Sequence, residues 1–370
     1  MKVALIHDHL AQDGGAEKVL MAFQEIFPDA PTYVLLYNPK QANSNFAHKD
    51  IRTSFIQRLP GGVKHYKWFI RLMPAATESY DLSEYDIVLS STSAFAKGII
   101  TKPETLHVCY CHTPTRFLWS DTHSYVQELS YGPIVRKLVP FVLHKLRLWD
   151  QLAADRVDRF ISNSKIVQHR IKKYYKRDSD IIHPPVDIRK FSVSKNLGNY
   201  YLMGGRLVSY KRFDMGVQAF NRLGIPLKIF GEGPELANLK KMARPNIEFL
   251  GKVSEVEKMK LFSEALAFIN PQEEDFGIVM IESMASGRPV IAYNKGGARE
   301  IVVPGKTGEL FSDQAWEALA DMIIHFKPES YSPEEIRAHA ETFDTTAFKD
   351  KIKAYVMDAY QQFENNNIKQ

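Results

Sequence analysis

The sequence predicts an α/β chain of two doubly wound, Rossmann-like domains that face each other across a cleft. Three observations carry this. Two consecutive series alternate short runs rich in Val, Ile and Leu with helix-forming stretches, a pattern that builds parallel sheets with helices on both faces. Each series opens on a strand followed by glycines, Gly14-Gly15 in the first and Gly204-Gly205 in the second. Between them, Pro184-Pro185 and the polar, irregular residues to Gly198 read as a linker. The chain has 370 residues, enough for two cores. The boundaries expected are 1–190 for the first domain and 191–344 for the second.

In the first series, residues 2–6 read as a strand broken at once by His7-Asp8-His9, so the opening is a strand and not a secretory signal. Gly14-Gly15 opens a helix over 16–27. A strand–glycine–helix turn can aim backbone N–H groups at a phosphate, but there is no GxGxxG spacing, and an ordinary tight turn explains the pair equally well. Residues 85–90 and 106–111 read as buried strands. The second ends at His112-Thr113-Pro114, which puts His112 at the carboxyl end of a strand, the edge where open α/β sheets bind ligands. Residues 159–162 form a strand, Ser164 caps a basic helix to Tyr175, and 180–183 form a last strand.

In the second series, the strand 199–203 runs into Gly204-Gly205-Arg206. A helix follows near Phe213, then the strand 227–230 and the turn Gly231-Glu232-Gly233-Pro234, with Pro234 in the first turn of the next helix. Strands are expected at 247–250, 266–270 and 290–293. Helices are expected after the Ser254 cap, over 278–285, 298–302, 314–325 and 333–341, and from Thr345 to Phe363.

Bulk properties narrow the class. Composition is that of an ordinary globular chain, 45% hydrophobic and 25% charged. No apolar run is long enough to cross a membrane. The two cysteines, Cys109 and Cys111, lie in LHVCYC and read as reduced core residues of a cytosolic protein. No HExxH or paired Cys/His cluster suggests a metal site. The net charge of +5 is unevenly spread. Residues 51–77 contain no acid, and Arg52, Arg58, Lys64, Lys67 and Arg71 lie among Tyr66, Trp68 and Phe69. Residues 129–149 again contain none, with Arg136, Lys137, Lys145 and Arg147 among Leu138, Phe141, Leu146 and Trp149. Such segments suit nucleic acid or an anionic membrane surface, or they are helices whose apolar side is core.

The most informative stretch is Gln272 to Val290, QEEDFGIVMIESMASGRPV. Two carboxylates, Glu274 and Glu282, bracket Gly277, and a helix over 278–285 ends at Gly287-Arg288-Pro289. A glycine beside a helix N-terminus is an anion site. Arg206 follows a strand end and Lys211 comes five residues later; Arg supplies a bidentate donor and Lys a point charge, a pairing suited to a diphosphate. On spacing alone, solvated surface charges explain the same residues. So does a glycoside hydrolase using Glu274 and Glu282 as acid and nucleophile, or a binding module without turnover.

The segments GGRLVSYKR, GEGPE, FLGKVS and EEDFGIVMIESMASGRPVIAYNKGGAREIV together resemble the nucleotide-binding half of the GT-B retaining glycosyltransferases of family 4. Glu274 and Glu282 fit that family's E-x7-E motif. The resemblance covers nearly the whole chain and is strongest over Asn199 to Gly308. In the first half, CHTPTRFLW, FISNSKIVQHRIKKYY and HPPVD resemble bacterial mannosyltransferase-like members that build surface polysaccharides.

The resemblance implies roles. Arg206 and Lys211 match the diphosphate clamp. Glu274 matches the acid on the donor sugar, with backbone contacts from Phe276, Gly277 and Ile278. Glu282 matches the residue on the ribose hydroxyls. Gly15 matches the glycine loop near diphosphate and sugar, and His112 the histidine beside the sugar. Gly205, Gly231 and Gly233 border the nucleotide, and the loop of Val253 contacts the base. The family further implies a retaining, metal-independent transfer from a nucleoside diphosphate sugar, here GDP-mannose, with UDP-sugars left open. It implies a glycan or lipid-linked acceptor, no nucleic acid partner, and a last helix (345–370) that returns to the first, acceptor-side domain. The expected location is cytoplasmic, peripheral on the inner membrane face, with residues 51–77 and 129–149 against anionic lipid.

Overall fold

The structure, a computed structural model, describes residues 1–122, 126 and 133–367. The chain forms two units, one of Met1–Pro185 with Phe348–Gln370, the other of Val186–Ala347.

The first unit is built on a seven-stranded sheet. Its strands are β1 (Val3–His7), β2 (Thr32–Val34), β3 (Ile51–Thr53), β4 (Ile87–Thr92), β5 (Leu106–Cys111), β6 (Arg159–Ser162) and β7 (Asp180–Ile181). Their order is β3-β2-β1-β4-β5-β6-β7, and every pairing is parallel. β1, β4 and β5 are buried along their whole length, which is why they read as unbroken apolar runs. Cys109 and Cys111 are buried in this sheet as free thiols. The Lys165–Tyr175 helix starts at the Ser164 cap, whose Oγ accepts from the Val167 N–H. The Thr345–Asn367 helix adds Phe348, Ile352, Val356 and Ala359, spaced along one face, to the core of this unit. There Phe348 stacks on Phe23 and meets the edge of Tyr110.

The second unit is built on a six-stranded parallel sheet of order β10-β9-β8-β11-β12-β13. Its strands are β8 (Tyr201–Gly204), β9 (Leu227–Phe230), β10 (Ile247–Gly251), β11 (Phe268–Asn270), β12 (Val290–Tyr293) and β13 (Gly308–Phe311). Separate apolar clusters cover its faces, one around Phe262, Met280 and Met284 and one around Phe213, Phe220 and Leu319.

Three local expectations are corrected. The residues after Pro185 are not a free linker. Val186, Ile188 and Phe191 enter the second core, and Arg288 and Arg337 donate to the Ser194 and Phe191 carbonyls. A polar composition hid three apolar anchors. Pro234 precedes its helix, which begins at Leu236, because Glu232 and Glu235 are tied to the Leu207 backbone instead. The three-residue strands β2 and β3 went unread, being too short to show a period.

Candidate functional site

In parallel sheets all carboxyl ends lie on one edge. Strand order reverses once in each sheet, between β1 and β4 and between β8 and β11. Loops leaving such a pair diverge and open a crevice.

In the second unit, Gly205-Arg206 follows β8 and Pro271 to Gly277 follows β11. Lys211 Nζ lies 2.9 Å from Glu274 Oε1, so one ion pair joins the two loops across the switch point. Gln272 donates to Glu274 Oε1 at 3.0 Å and to Asn270 Oδ1 at 2.8 Å, fixing the carboxylate from the end of β11. Arg206 is exposed and makes no ion pair among the described residues. The loops after β8, β9 and β10 lie backbone against backbone. Gly231 N–H donates to the Gly251 carbonyl at 2.7 Å and Gly205 N–H to the Phe230 carbonyl at 3.1 Å. A Cβ at Gly231 would strike the Gly205 carbonyl oxygen, and one at Gly233 the Leu207 oxygen. Val253, after β10, is half-buried against the core.

Gly277 has φ +107°, a left-handed conformation that L side chains rarely adopt, and precedes the Ile278–Ala285 helix with no side-chain cap. The Met280 N–H turns back on the Gly277 carbonyl at 3.0 Å, so the N–H groups of Ile278 and Val279 are the ones left for an anion. The side chains beside it are structural. Phe276 is buried against Phe343, and Ile278 packs on the core. Glu282 lies in the second turn of the same helix. It is buried and faces Lys258 Nζ at 3.4 Å, which also pairs with Glu255 at 3.1 Å. Arg206, Lys211, Glu274 and Gly277 therefore gather at the switch point, while Glu282 is held from another helix.

In the first unit, His112 follows β5 and its Nε2 lies 2.8 Å from Ser91 Oγ at the end of β4. Burial, then the charge of His7, hold its pKa down at about 4. Gly15 is exposed and opens the Gly15–Ile26 helix, which carries the buried Glu17. Glu17 lies 3.7 Å from His7 Nε2, and His7 Nδ1 lies 3.1 Å from Ser91 Oγ. Asp8 is buried, and its carboxylate accepts the N–H groups of Ser93, Ala94, Phe95 and Ala96 at 2.6–3.0 Å. Burial pushes its pKa up, but His7 and these amides outweigh that and leave it lowered.

Sequence reasoning missed Gln272, Lys258, Glu17 and Ser91. Gln272 lay inside the stretch singled out. The signal for Glu17 was an acid in the first turn after a glycine pair. Lys258 and Ser91 carried no local signal, since their partners are 24 and 21 residues away.

The acid-free segments divide. Arg52 is bound by Asp50 and Tyr33, and Arg147 donates to the Leu118 carbonyl. Trp68, Leu72, Leu138, Phe141, Leu148 and Leu152 are exposed, while Leu143 and Leu146 form the core side of the Pro133–Asp155 helix. Residues 129–132 lie outside the described residues, as does the side chain of Arg136. No helix among the described residues is long and apolar enough to cross a membrane.

Comparison with known proteins bears on both units. Residues 13–190 match the model described as Glycosyltransferase Family 4, and residues 187–343 the model described as Glycosyl transferases group 1. An uncharacterized glycosyltransferase of Methanocaldococcus jannaschii is 27% identical over 198 residues, 52% of this chain and 55% of the relative. An alpha-1,3/1,6-mannosyltransferase of Dictyostelium discoideum is 25% identical over 284 residues, 63% of this chain and 64% of the relative. The matches thus span less than two thirds of either relative. Among solved structures, HepE of Anabaena in complex with UDP shares the fold with a TM-score of 0.72 at 18% identity, over 97% of this chain and 100% of that one. The chain belongs to the family 4-like glycosyltransferases with the GT-B fold.

Proposed function

We propose that the protein transfers a hexose, mannose, from a nucleoside diphosphate sugar to a hydroxyl of a glycan or lipid-linked acceptor, with retention of configuration. The observation that carries the reading is the Lys211–Glu274 pair at the switch point of the second unit, beside the exposed Arg206 and the uncapped helix after Gly277. Lys211 and Arg206 meet the charge that grows on the leaving diphosphate, and the helix N-terminus adds its dipole. Glu274, already oriented by Gln272, accepts from hydroxyls of the donor sugar. Gly205, Gly231 and Gly233 let the nucleotide lie close to the backbone, Val253 meets the base, and Glu282 holds the ribose. Gly15 and His112 serve the same reaction from the first unit. The protein cations take the part a metal would play, so chelation should leave the rate unchanged.

Mannose follows from the mannosyltransferase among the relatives and from the first-half motifs. A second reading, a UDP-sugar donor, is favoured by the structural neighbour solved with UDP. A donor panel scored for released GDP against UDP tests both. GDP release from GDP-mannose supports the first, UDP release alone supports the second, and release of neither overturns the transferase reading. The exposed Leu138, Phe141, Leu148 and Leu152 with Lys137 and Lys145 further support contact with anionic lipid near a lipid-linked acceptor. Failure to float with anionic vesicles at low salt would remove that part.

A further inference from the structure

We infer that Asn270 and Gln272 are paired positioning residues that commit one oxygen of Glu274 to the protein and leave the other to the donor sugar, so that residue 272 governs recognition of the hexose and not of the nucleotide. The functional meaning rests on the reading of Glu274 as the acid on the donor sugar; the pair itself rests on geometry within the second unit.

Asn270 closes β11, Gln272 follows two residues later, and both are buried. Neither side-chain amide is free to flip. Asn270 Nδ2 donates to the Gln272 carbonyl at 3.3 Å. A carbonyl only accepts, so the Asn270 nitrogen belongs on that side and its Oδ1 is turned to the Gln272 side chain. Gln272 Nε2 in turn donates to Asn270 Oδ1 at 2.8 Å and to Glu274 Oε1 at 3.0 Å. Both hydrogens of that amide are engaged, each on an oxygen with no proton to give. The order runs from backbone carbonyl to Asn270, to Gln272, to the carboxylate, and each link fixes the next.

Lys211 Nζ reaches the same oxygen, Oε1, at 2.9 Å. An ammonium and an amide nitrogen only donate, so the protein occupies Oε1 twice. Oε2 has no partner among the described residues, and the Glu274 side chain is 22% exposed. It is the oxygen left for a sugar hydroxyl.

The backbone beneath is held separately. Gly297 N–H donates to the Glu274 carbonyl at 2.9 Å, and Gln314 Nε2 to the Pro271 carbonyl at 3.1 Å. A Cβ at Gly296 would strike the Glu274 carbonyl oxygen, and one at Gly297 the Phe276 carbonyl oxygen. The loop after β12 thus lies backbone on backbone against the loop after β11. Loss of the Gln272 amide therefore frees the carboxylate to rotate while its loop stays in place. A rotating carboxylate offers no fixed acceptor, so both the rate and the discrimination between hexoses that differ in one hydroxyl fall. A nucleoside diphosphate without its sugar has no hexose hydroxyl to meet Oε2, and its binding does not register the change.

The test uses the full chain and separates sugar from nucleotide. Gln272→Leu keeps most of the volume and removes both bonds. With GDP-mannose, or UDP-glucose if the donor panel favours uracil, kcat should fall about tenfold to a hundredfold. Preference over the epimer on the same nucleotide, GDP-glucose or UDP-galactose, should fall at least about fivefold in kcat/KM. Calorimetry with GDP or UDP alone should give a Kd within about twofold of wild type, which also shows that the second unit is folded. Asn270→Leu should repeat the pattern more weakly, and the double variant should be no slower than Gln272→Leu, because Asn270 acts through Gln272. An unchanged kcat and epimer preference in Gln272→Leu overturns the inference, as does an additive loss in the double variant. A nucleotide Kd weakened in step with kcat overturns it too, since residue 272 then serves the fold. If Gln272→Leu does not fold, Asn270→Leu is judged by the same three measurements. A wild type that releases nucleotide from no donor removes the transferase reading, whereas an active wild type beside an unaffected Gln272→Leu removes this inference alone.

Discussion

At the switch point of the first sheet, the loop after β4 turns the N–H groups of Ser93, Ala94, Phe95 and Ala96 onto the carboxylate of Asp8. At the switch point of the second, the helix after β11 begins at Gly277 with no cap, and Arg206 stands exposed beside the Lys211–Glu274 pair. Both arise from the same reversal of strand order. In the first, the amides that a phosphate would seek are filled by the chain's own carboxylate. In the second, one cation and one helix end are left open. A shared fold therefore supplies two crevices, and only local side chains decide which can take an anion.

Asp8→Ala breaks the comparison most directly. Four N–H groups, those of Phe95 and Ala96 buried and those of Ser93 and Ala94 part-buried, lose a charged acceptor, and unfolding stability should fall by about 4 kcal/mol, read as a lower denaturant midpoint at unchanged slope. Sulfate should restore part of that loss beyond its effect on wild type, because the vacated amides then match an oxyanion. No extra recovery would show that the two crevices differ by more than occupancy.

Phe348→Ala serves as the contrast within the same unit. Emptying a buried aromatic site beside Phe23 and Tyr110 should cost about 3 kcal/mol, with no sulfate-specific recovery.

In the second crevice, Arg206→Ala or Lys211→Ala should lower turnover by at least about 100-fold, near 2.7 kcal/mol, with the fold intact by circular dichroism. Wild-type rates from both variants would remove the proposed function.

The acid side sharpens the first crevice. Burial holds His107 at about 3 and His112 at about 4, below the unfolded value near 6.5. As pH falls below that unfolded value, the unfolded chain takes up protons that the folded chain refuses. Stability then drops by about 1.4 kcal/mol per pH unit for each histidine until the folded values are reached. Asp8 and Glu17 have lowered values, so their contribution is present above the ordinary carboxylate range and is lost as pH falls through their folded values. Denaturation midpoints from pH 7 to 4 should therefore slope downward, with a shallower slope in His107→Gln.

The smallest effect concerns the surface of the first unit. Phe141→Ser should weaken binding to anionic vesicles about tenfold, and added salt should weaken wild-type binding as well. Equal binding by both proteins would assign the exposed face another purpose.

The sequence by itself determined both sheets and most of their strands, because parallel strands buried on two faces must be continuous apolar runs and their turns must carry glycine. β5, β9, β12 and the Ile278–Ala285 helix fall where the pattern put them. It also singled out Arg206, Lys211, Glu274 and Gly277, through the resemblance that GGRLVSYKR and EEDFGIVMIESMASGRPV bear to one family. Only the tertiary structure decided how these residues are engaged. Lys211 meets Glu274 across 63 positions, Lys258 covers Glu282 from another helix, and the amides after β4 close on Asp8 more than 80 residues before them. Such pairings follow from which strands lie side by side, and strand order is fixed by packing the whole sheet. No local window of residues contains it.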